Sequence, residues 1–478
     1  MREEPAMETF DVVIIGSGPG ASTVWESVRR ADPRRSIAVV EQGLVGGNCP
    51  YLACVPSKAM LRGEHVWGLG AHPEFMPLFL GPEPPETAHR ETVKRRDRLV
   101  NNRNDFEAAE ALVQQRITLY RGHGAIVRPG IVDVAGVQLG YRDLVIDTGS
   151  VPMIPPITGI DDVEVWTSEE AMSTPELPGS MVVLGGGPVG CELTDIFALF
   201  GCIVTVLEKS DRLLPREEPE VSETLTEAFH DLDVRTLPGT SAVRMGPHPH
   251  HEGGVHVEVD IGRPIDADRL VLAAGRLPYT TDLGLDALGM QVRAGSPLPV
   301  DDHCRVEGAE HVWAVGDVTG INPHTHTAEY QGRIVAANLL GRDAIADYRA
   351  IPRTLYTEPG MAAVGHTEAT ARAVGIHPVV ATADLAGTVR AQIDGVSTGY
   401  VKLIADPARG TLVGATCVGG RPEEWISQLS TAVRAETPLP VLADVIHPFP
   451  TFSGVLDEPL AELADRVSTT HAARVVHA

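Results

Sequence analysis

The stretch Asp11-Val12-Val13-Ile14-Ile15-Gly16-Ser17-Gly18-Pro19-Gly20-Ala21 decides how this chain begins to fold. Its β-branched run predicts a short buried strand, its glycines a tight turn, and the residues up to Arg30 a helix. A turn of this spacing lets the backbone approach a pyrophosphate seated on the positive N-terminal end of the helix. A second apolar run, Ile37 to Val40, ends in Glu41, where a carboxylate can accept a ribose hydroxyl. The same grammar returns at Met181 to Leu184, Gly185-Gly186-Gly187-Pro188-Val189-Gly190, a helical segment to Phe200, and a run Ile203 to Leu207 ending in Glu208. Two copies, each with strand before and helix after, predict two bound dinucleotides. Gly16, Gly18, Ala21 and Glu41 would hold the first; Gly185, Gly187, Gly190 and Glu208 the second. An acid at Glu208 would repel a 2′-phosphate and so favours NADH, while Lys209 and Arg212 keep NADPH possible.

Outward from these units, Ser57 to Gln115 has helical composition and Ile117 to Asp147 the alternation of a β-meander. Pro152, Pro155 and Pro156 stiffen Val151 to Gly159, which reads as a crossover between the two dinucleotide folds. Thr148-Gly149, Gly275 and Asp317 each close an apolar run, positions suited to chain passing beside a cofactor. From about Ile351 a third block, with β-like runs Gly399 to Ile404 and Thr411 to Val418 and a helix-like Glu423 to Ala435, reads as a separate α+β domain. A length of 478 residues calls for several cores. The net charge of -25 would repel phosphate backbones and anionic lipid, so nucleic acid and membrane surfaces are excluded as partners. Met1 to Phe10 lacks the apolar core of a signal peptide and no later run is long enough to span a bilayer, so the expected location is cytoplasmic.

Six cysteines are too few for a structural framework in a chain of this length, so a close pair is suspected of chemistry. Cys49-Pro50-Tyr51-Leu52-Ala53-Cys54 is such a pair, directly after the first βαβ unit. In a regular helix five residues rise ~7.5 Å, beyond the ~4.4–6.8 Å between Cα atoms that a disulfide accepts. The turn must therefore be distorted if the sulfurs are to meet. Cys191, Cys202, Cys304 and Cys417 are scattered singly and read as packing residues. His248, His250 and His251 have no partner ligands at helical spacing and read as a solvated loop, so no metal site is expected.

These segments, in this order, resemble the group I pyridine nucleotide-disulfide oxidoreductases, typified by dihydrolipoamide dehydrogenase and mercuric reductase. The resemblance rests on Gly16–Ala21, Glu41, Gly46-Gly47-Asn48-Cys49 through Cys54-Val55-Pro56-Ser57-Lys58, Gly185–Gly190 with Glu192, Gly275-Arg276, and Val315-Gly316-Asp317, and spans nearly the whole chain. It implies an α/β fold with two Rossmann-like dinucleotide-binding domains and a C-terminal α+β dimerisation domain. The implied boundaries are 1–150 and 279–345 for the FAD-binding domain, 151–278 for the NAD-binding domain and 346–478 for the dimerisation domain of a homodimer. FAD would contact Gly47, Lys58, Thr148, Gly149 and Asp317 in addition to the first glycine turn. By the same resemblance Cys54 is the sulfur against the flavin, Cys49 the interchange thiol that meets a small-molecule substrate, and Lys58 with Glu192 an ion pair near the flavin.

One departure bears on function. Disulfide reductases of this family carry a histidine, followed five residues later by glutamate, that moves protons for the interchange thiol. The matching stretch here is Ile446-His447-Pro448-Phe449-Pro450-Thr451-Phe452-Ser453-Gly454, with Phe449 at the base position and Gly454 at that of its acid. His447, two residues earlier, could act in a shifted register or be structural. Phenylalanine at this position, together with Cys-Pro-x-x-Ala-Cys, resembles 2-ketopropyl coenzyme M oxidoreductase/carboxylase, which cleaves a thioether. Lys58 and Gly454 depart from that enzyme, so its substrate does not transfer. The C-terminal cysteine pair of mercuric reductase is absent from Ser468 to Ala478, which disfavours mercury. The expected function is reduction of the Cys49–Cys54 disulfide by NADH and then of a small sulfur-containing or electrophilic substrate without the usual acid/base dyad. Reductive C–S cleavage, diaphorase-type quinone reduction and relay to a protein partner are the alternatives.

Overall fold

A computed structural model describes residues 7–71, 75–76 and 83–476. The first strand, β1 (Glu8–Ile15), starts three residues earlier than its apolar run, and residues 1–6 lie outside the described part. It leads into α1 (Pro19–Ala31) and then β2 (Ile37–Glu41). β1 lies between β2 and Val137–Ile146, parallel to both. Beyond Val137–Ile146 the strands Ile131–Val134 and Gly124–Arg128 continue antiparallel, and Val312–Ala314 returns to pair parallel with Val137–Ile146. The expected meander is thus present, except that its first strand, Thr118–Arg121, pairs parallel with β2 at the far edge.

Alternation along β1 assigns its two faces. Val12 and Ile14 pack with Val24 and Val28 of α1, whereas Val13 and Ile15 pack with Ile126, Val132 and Leu144 under the meander. All four β1 residues are at most 4% exposed, and each such side chain contributes roughly 1.5–3 kcal/mol. A sheet covered on both faces reads as a continuous apolar run, which is why Val12 to Ile15 shows no alternation in sequence.

After β2 the chain enters a short helix α2 (Asn48–Tyr51), a break, α3 (Cys54–Ala71) and α4 (Pro85–Leu99). The second dinucleotide fold repeats the first: β3 (Ser180–Leu184), α5 (Pro188–Leu199) and β4 (Ile203–Glu208) lie in a parallel sheet ordered Arg235–Pro238, β4, β3, Arg269–Leu272, Val165–Trp166. A two-stranded ribbon, Ser150–Pro152 against Arg276–Pro278, carries the chain out of the first fold and back. The return passes through α6 (Thr325–Leu339), which packs against α1. A Cβ at Gly332 would lie 2.5 Å from the Gly20 carbonyl oxygen, so only glycine permits this approach. The last block is a five-stranded antiparallel sheet, Pro352–Leu355, Met361–Gly365, Thr411–Val418, Tyr400–Asp406 and Val379–Asp384, covered by α7 (Pro422–Arg434). Tyr400–Asp406, Thr411–Val418 and α7 coincide within two residues with the runs picked out in the sequence; the other three strands were not singled out there.

Candidate active site

The cysteine pair straddles the break between two helices. Cys49 lies in α2, Leu52 leaves helical geometry (φ −126°, ψ −11°), and Cys54 opens α3. The distortion required by helical rise is therefore real, and Gly47, with a positive φ of +73° just before α2, starts it. A residue from elsewhere completes the site. Thr325, first residue of α6, places its hydroxyl 3.1 Å from Cys49 Sγ and 3.4 Å from Cys54 Sγ. No motif marked Thr325, because 271 residues separate it from Cys54.

The two thiols have opposite proton affinities. Donation from the Cys49 thiol, the Thr325 hydroxyl and the Lys58 charge together bring Cys54 down to about 6, against burial and the Glu192 charge. Cys49 is pushed up, because its proton is engaged by Cys54 and because it is desolvated. Cys54 is thus the thiolate and Cys49 the thiol. Lys58, one turn along α3, places Nζ 2.6 Å from Glu192 Oε2 on α5, the ion pair that the resemblance implied. Lys58 also lies 4.7 Å over the Tyr356 ring, and the Tyr356 N–H donates to Glu192 Oε1 at 3.2 Å.

The two glycine turns have the features a dinucleotide requires. Gly16 (φ +98°) passes so close to the strand end at Asp147 that a Cβ would lie 2.1 Å from the Asp147 carbonyl. Gly18 and Gly187 begin α1 and α5 and have no side chain of their own to cap them; at α1 the Ala21 N–H goes to Asp147, and the other first-turn N–H groups remain for an anion. A Cβ at Gly190 would meet the Gly185 carbonyl at 1.9 Å, which keeps α5 tight on its turn. Glu41 accepts from Ser17 Oγ and the Gly43 N–H, both at 2.6 Å; Glu208 accepts from the Gly186 and Ser210 N–H groups, also at 2.6 Å. Each carboxylate oxygen retains a lone pair for a ribose hydroxyl. Arg212 is spent on the carbonyls of Leu214, Pro215 and Glu217 and on Ser222.

Other expected contacts fall along the same crevice. Thr148 donates to the Tyr279 carbonyl, whose N–H in turn reaches the Gly149 carbonyl. Asp317 accepts from Ser150 Oγ at 2.6 Å, and Ser150 is held by Arg276; the Gly275 carbonyl accepts from Met153. Asp147, which opens the Asp147-Thr148-Gly149 strand end read from the sequence, belongs with them. It is buried beneath the first turn, accepts the Ala21 N–H at 2.8 Å, and is raised by burial to about 8. These residues fit FAD at the first turn and a nicotinamide dinucleotide at the second.

The C-terminal stretch is arranged differently. Phe449 is 83% exposed in the single chain, and Gly454 lies in a short 3₁₀ turn, Phe452–Leu456. The His447 side chain is 4% exposed, with Nδ1 2.5 Å from Asp457 Oδ1 and Nε2 2.7 Å from Gln428 Nε2. Both ring nitrogens are occupied within the chain. Cys191, Cys202, Cys304 and Cys417 are buried, and His250 and His251 are exposed in the turn after Ala242–Pro247.

The sequence profile described as pyridine nucleotide-disulphide oxidoreductase matches residues 10–332, and that of the family's dimerisation domain matches residues 351–460. A dihydrolipoyl dehydrogenase of Chlorobaculum tepidum is 31% identical over 460 residues, covering 94% of this chain and 96% of that protein. A mercuric reductase of Bacillus cereus is 29% identical over 450 residues, covering 93% of this chain and 70% of that one. Among solved structures, the Cu(II) complex of RclA, an HOCl-induced flavoprotein disulfide reductase from Escherichia coli, superposes with a TM-score of 0.82 at 27% identity, covering 96% of this chain and 100% of that one.

Proposed function

The chain belongs to the pyridine nucleotide-disulphide oxidoreductase family and is a flavoprotein oxidoreductase acting on sulfur groups with FAD and NAD(P)H; from that premise we propose that it uses NADH to reduce the Cys49–Cys54 pair and passes the electrons to an acceptor needing no histidine base. FAD, when bound, supplies hydride acceptance from the nicotinamide and two-electron transfer to sulfur. We assign it to residues 1–150 and 279–345, the nicotinamide dinucleotide to 151–278 and subunit contact in a homodimer to 346–478. NADH rather than NADPH is supported by Arg212, whose guanidinium is engaged by Leu214, Pro215, Glu217 and Ser222 rather than free for a 2′-phosphate.

The observation that carries this reading is the Thr325-bridged sulfur pair with Cys54 acidic and Cys49 not. Lys58 and Thr325 hold the charge on Cys54 and so keep the sulfur nearer the flavin ionised, leaving Cys49 to meet substrate once its proton is surrendered. Phe449 and Gly454 supply no group to take that proton, and His447 is committed to Asp457 and Gln428. Anaerobic titration with NADH should yield two new thiols per chain in the wild type and none in Cys49→Ser or Cys54→Ser. Full reduction of a quinone acceptor by Cys49→Ser would favour the diaphorase alternative.

A soft metal ion as the electron acceptor is a second reading. Two sulfurs converging on one hydroxyl, Cys54 as a thiolate and Cys49 as a thiol, present soft ligands suited to a thiophilic ion. An ion reduced at sulfur also leaves no organic thiolate awaiting a proton, which suits a site with phenylalanine at the base position. The Cu(II) complexes of RclA point the same way. Turnover with Cu(II) far above that with lipoamide or glutathione disulfide would select this reading; the reverse would discard it. A cytoplasmic location is proposed with either; among the described residues no helix is long and apolar enough to cross a membrane.

A further inference from the structure

Three imidazoles that the cysteine chemistry does not use meet on one turn. The strands Ala242–Pro247 and Val255–Val259 pair antiparallel, with Pro247 opposite Val255, so residues 248–254 between them close a tight turn. Its backbone is pinned twice: the His248 N–H donates to the Gly254 carbonyl at 2.9 Å and the Gly254 N–H to the His251 carbonyl at 3.2 Å. Glycine is required there, since a Cβ at Gly254 would meet His248 Cβ at 2.9 Å and His251 Cδ2 at 3.1 Å. Pro247 and Pro249 flank His248, and the second of them restricts it to extended backbone, so the first imidazole is held in place before anything binds.

The ring centres of His248 and His251 lie 6.0 Å apart, and those of His248 and His250 6.3 Å. Two imidazoles on one ion, at the usual metal–nitrogen distance of about 2.0–2.1 Å, hold their centres roughly 5–6.5 Å apart. The rings now stand edge to face at that spacing, and rotation of the exposed His250 and His251 side chains suffices to aim their nitrogens at a shared centre. A carboxylate joins them from a third strand. Val255 pairs with Ala267 at the end of Ile265–Ala267, and Asp268 follows directly. Asp268 accepts the Ser180 N–H through Oδ2 at 2.9 Å, while its Oδ1 faces His251 Nε2 at 3.6 Å. Arg269, next in the chain, is held by the Gly253 and Asp268 carbonyls and by Glu176, so its charge is directed away from the Asp268 carboxylate. Along the sequence these histidines have no partner at helical spacing; strand pairing brings Asp268 to them.

We infer that His248, His250, His251 and Asp268 bind a borderline divalent ion of the first transition row, such as Zn(II) or Cu(II), at this turn. Three imidazoles and one carboxylate suit such ions, whereas calcium and magnesium take oxygen ligands. The His250 N–H donates to His248 Nδ1 at 3.0 Å, so the lone pair of His248 is on that nitrogen, and the ion takes the place of the N–H donor. His251 binds through Nε2, the nitrogen facing Asp268, and Asp268 through Oδ1, with the Ser180 bond to Oδ2 supporting the carboxylate from behind. The site shares no residue with the sulfur pair, so the inference stands whichever acceptor the cysteines serve.

The test is calorimetric titration of the air-oxidised holoenzyme with Zn(II), repeated on Cys49→Ser with Cys54→Ser so that ion held by the sulfurs is separated from ion held by the imidazoles. One Zn(II) per chain should bind in both backgrounds. His248→Ala and His251→Ala should each weaken that binding at least tenfold, and Asp268→Asn at least threefold. The His251 side chain is 55% exposed, so its replacement leaves the fold intact, which FAD content and NADH oxidation verify. Cu(II) in the same site should show nitrogen splittings in its electron paramagnetic resonance spectrum, reduced in number in His251→Ala. Absence of stoichiometric Zn(II), or affinity unchanged in both His248→Ala and His251→Ala, overturns the site. Binding that survives those variants and is lost in His303→Ala would place the ion instead at Asp301, Asp302 and His303, and would equally overturn it.

Discussion

Replacing Thr325 with valine removes the one hydroxyl that both sulfurs share while keeping its volume. Thr325 Oγ1 is 3.4 Å from Cys54 Sγ, and its donation is among the causes holding Cys54 at about 6. A hydrogen bond to a charged group is worth about 1.5–3 kcal/mol, and each pKa unit corresponds to ~1.4 kcal/mol, which sets an upper range of about 1–2 units. The hydroxyl is divided between two sulfurs and the Cys49 thiol remains as a donor, so a rise of about 1 unit is expected. At pH 7 the thiolate fraction of Cys54 would then fall from about nine-tenths to about one-half. The assay is the pH dependence of iodoacetamide alkylation, with thiolate absorbance, on the reduced protein, and Thr325→Ser should restore the wild-type curve. An unchanged titration in Thr325→Val would refute the argument, as would a Thr325→Ser curve matching that of valine, since the effect would then come from packing.

Phe449→His with Gly454→Glu should raise turnover of simple disulfides by part of the roughly 10²–10⁴-fold that a positioned acid/base contributes, with the NADH half-reaction unchanged by stopped-flow; no gain would mean that proton transfer is not what limits disulfides here. His447→Ala should lower thermal stability by about 1–3 kcal/mol, through loss of the Asp457 and Gln428 partners, without changing the pH profile of turnover; a shifted profile would make His447 the base. Gly190→Ala should cost about 1–3 kcal/mol and weaken NADH binding while FAD content stays at one per chain, because the added Cβ meets the Gly185 carbonyl. Glu208→Gln should narrow the preference for NADH while retaining the Gly186 and Ser210 acceptors in part, read from NADH and NADPH dissociation constants.

What could be read along the chain is what depends on neighbours in sequence. The two strand–turn–helix units, their closing acids Glu41 and Glu208, and two of the five C-terminal strands with their helix followed from apolar runs and glycine spacing, since strand burial and turn geometry are local demands. The need for a break between Cys49 and Cys54 followed from helical rise alone, and two residues, Leu52 and Ala53, separate α2 from α3. Residues that complete the chemistry were not legible in the same way. Thr325 reaches the sulfurs only because Gly332 lets α6 close on α1, and Asp147 becomes part of the first turn only when Val137–Ile146 lies beside β1. His447 reads equally as a base in a shifted register or as a structural residue until folding sets it between Gln428 and Asp457. Glu64 on α3 and Asp195 on α5 look like ordinary helical acids until the fold buries both. Burial, charge coupling and hydrogen bonding across more than a hundred residues are properties of assembled space, so the proton affinities of this site were decided by tertiary structure and by nothing shorter.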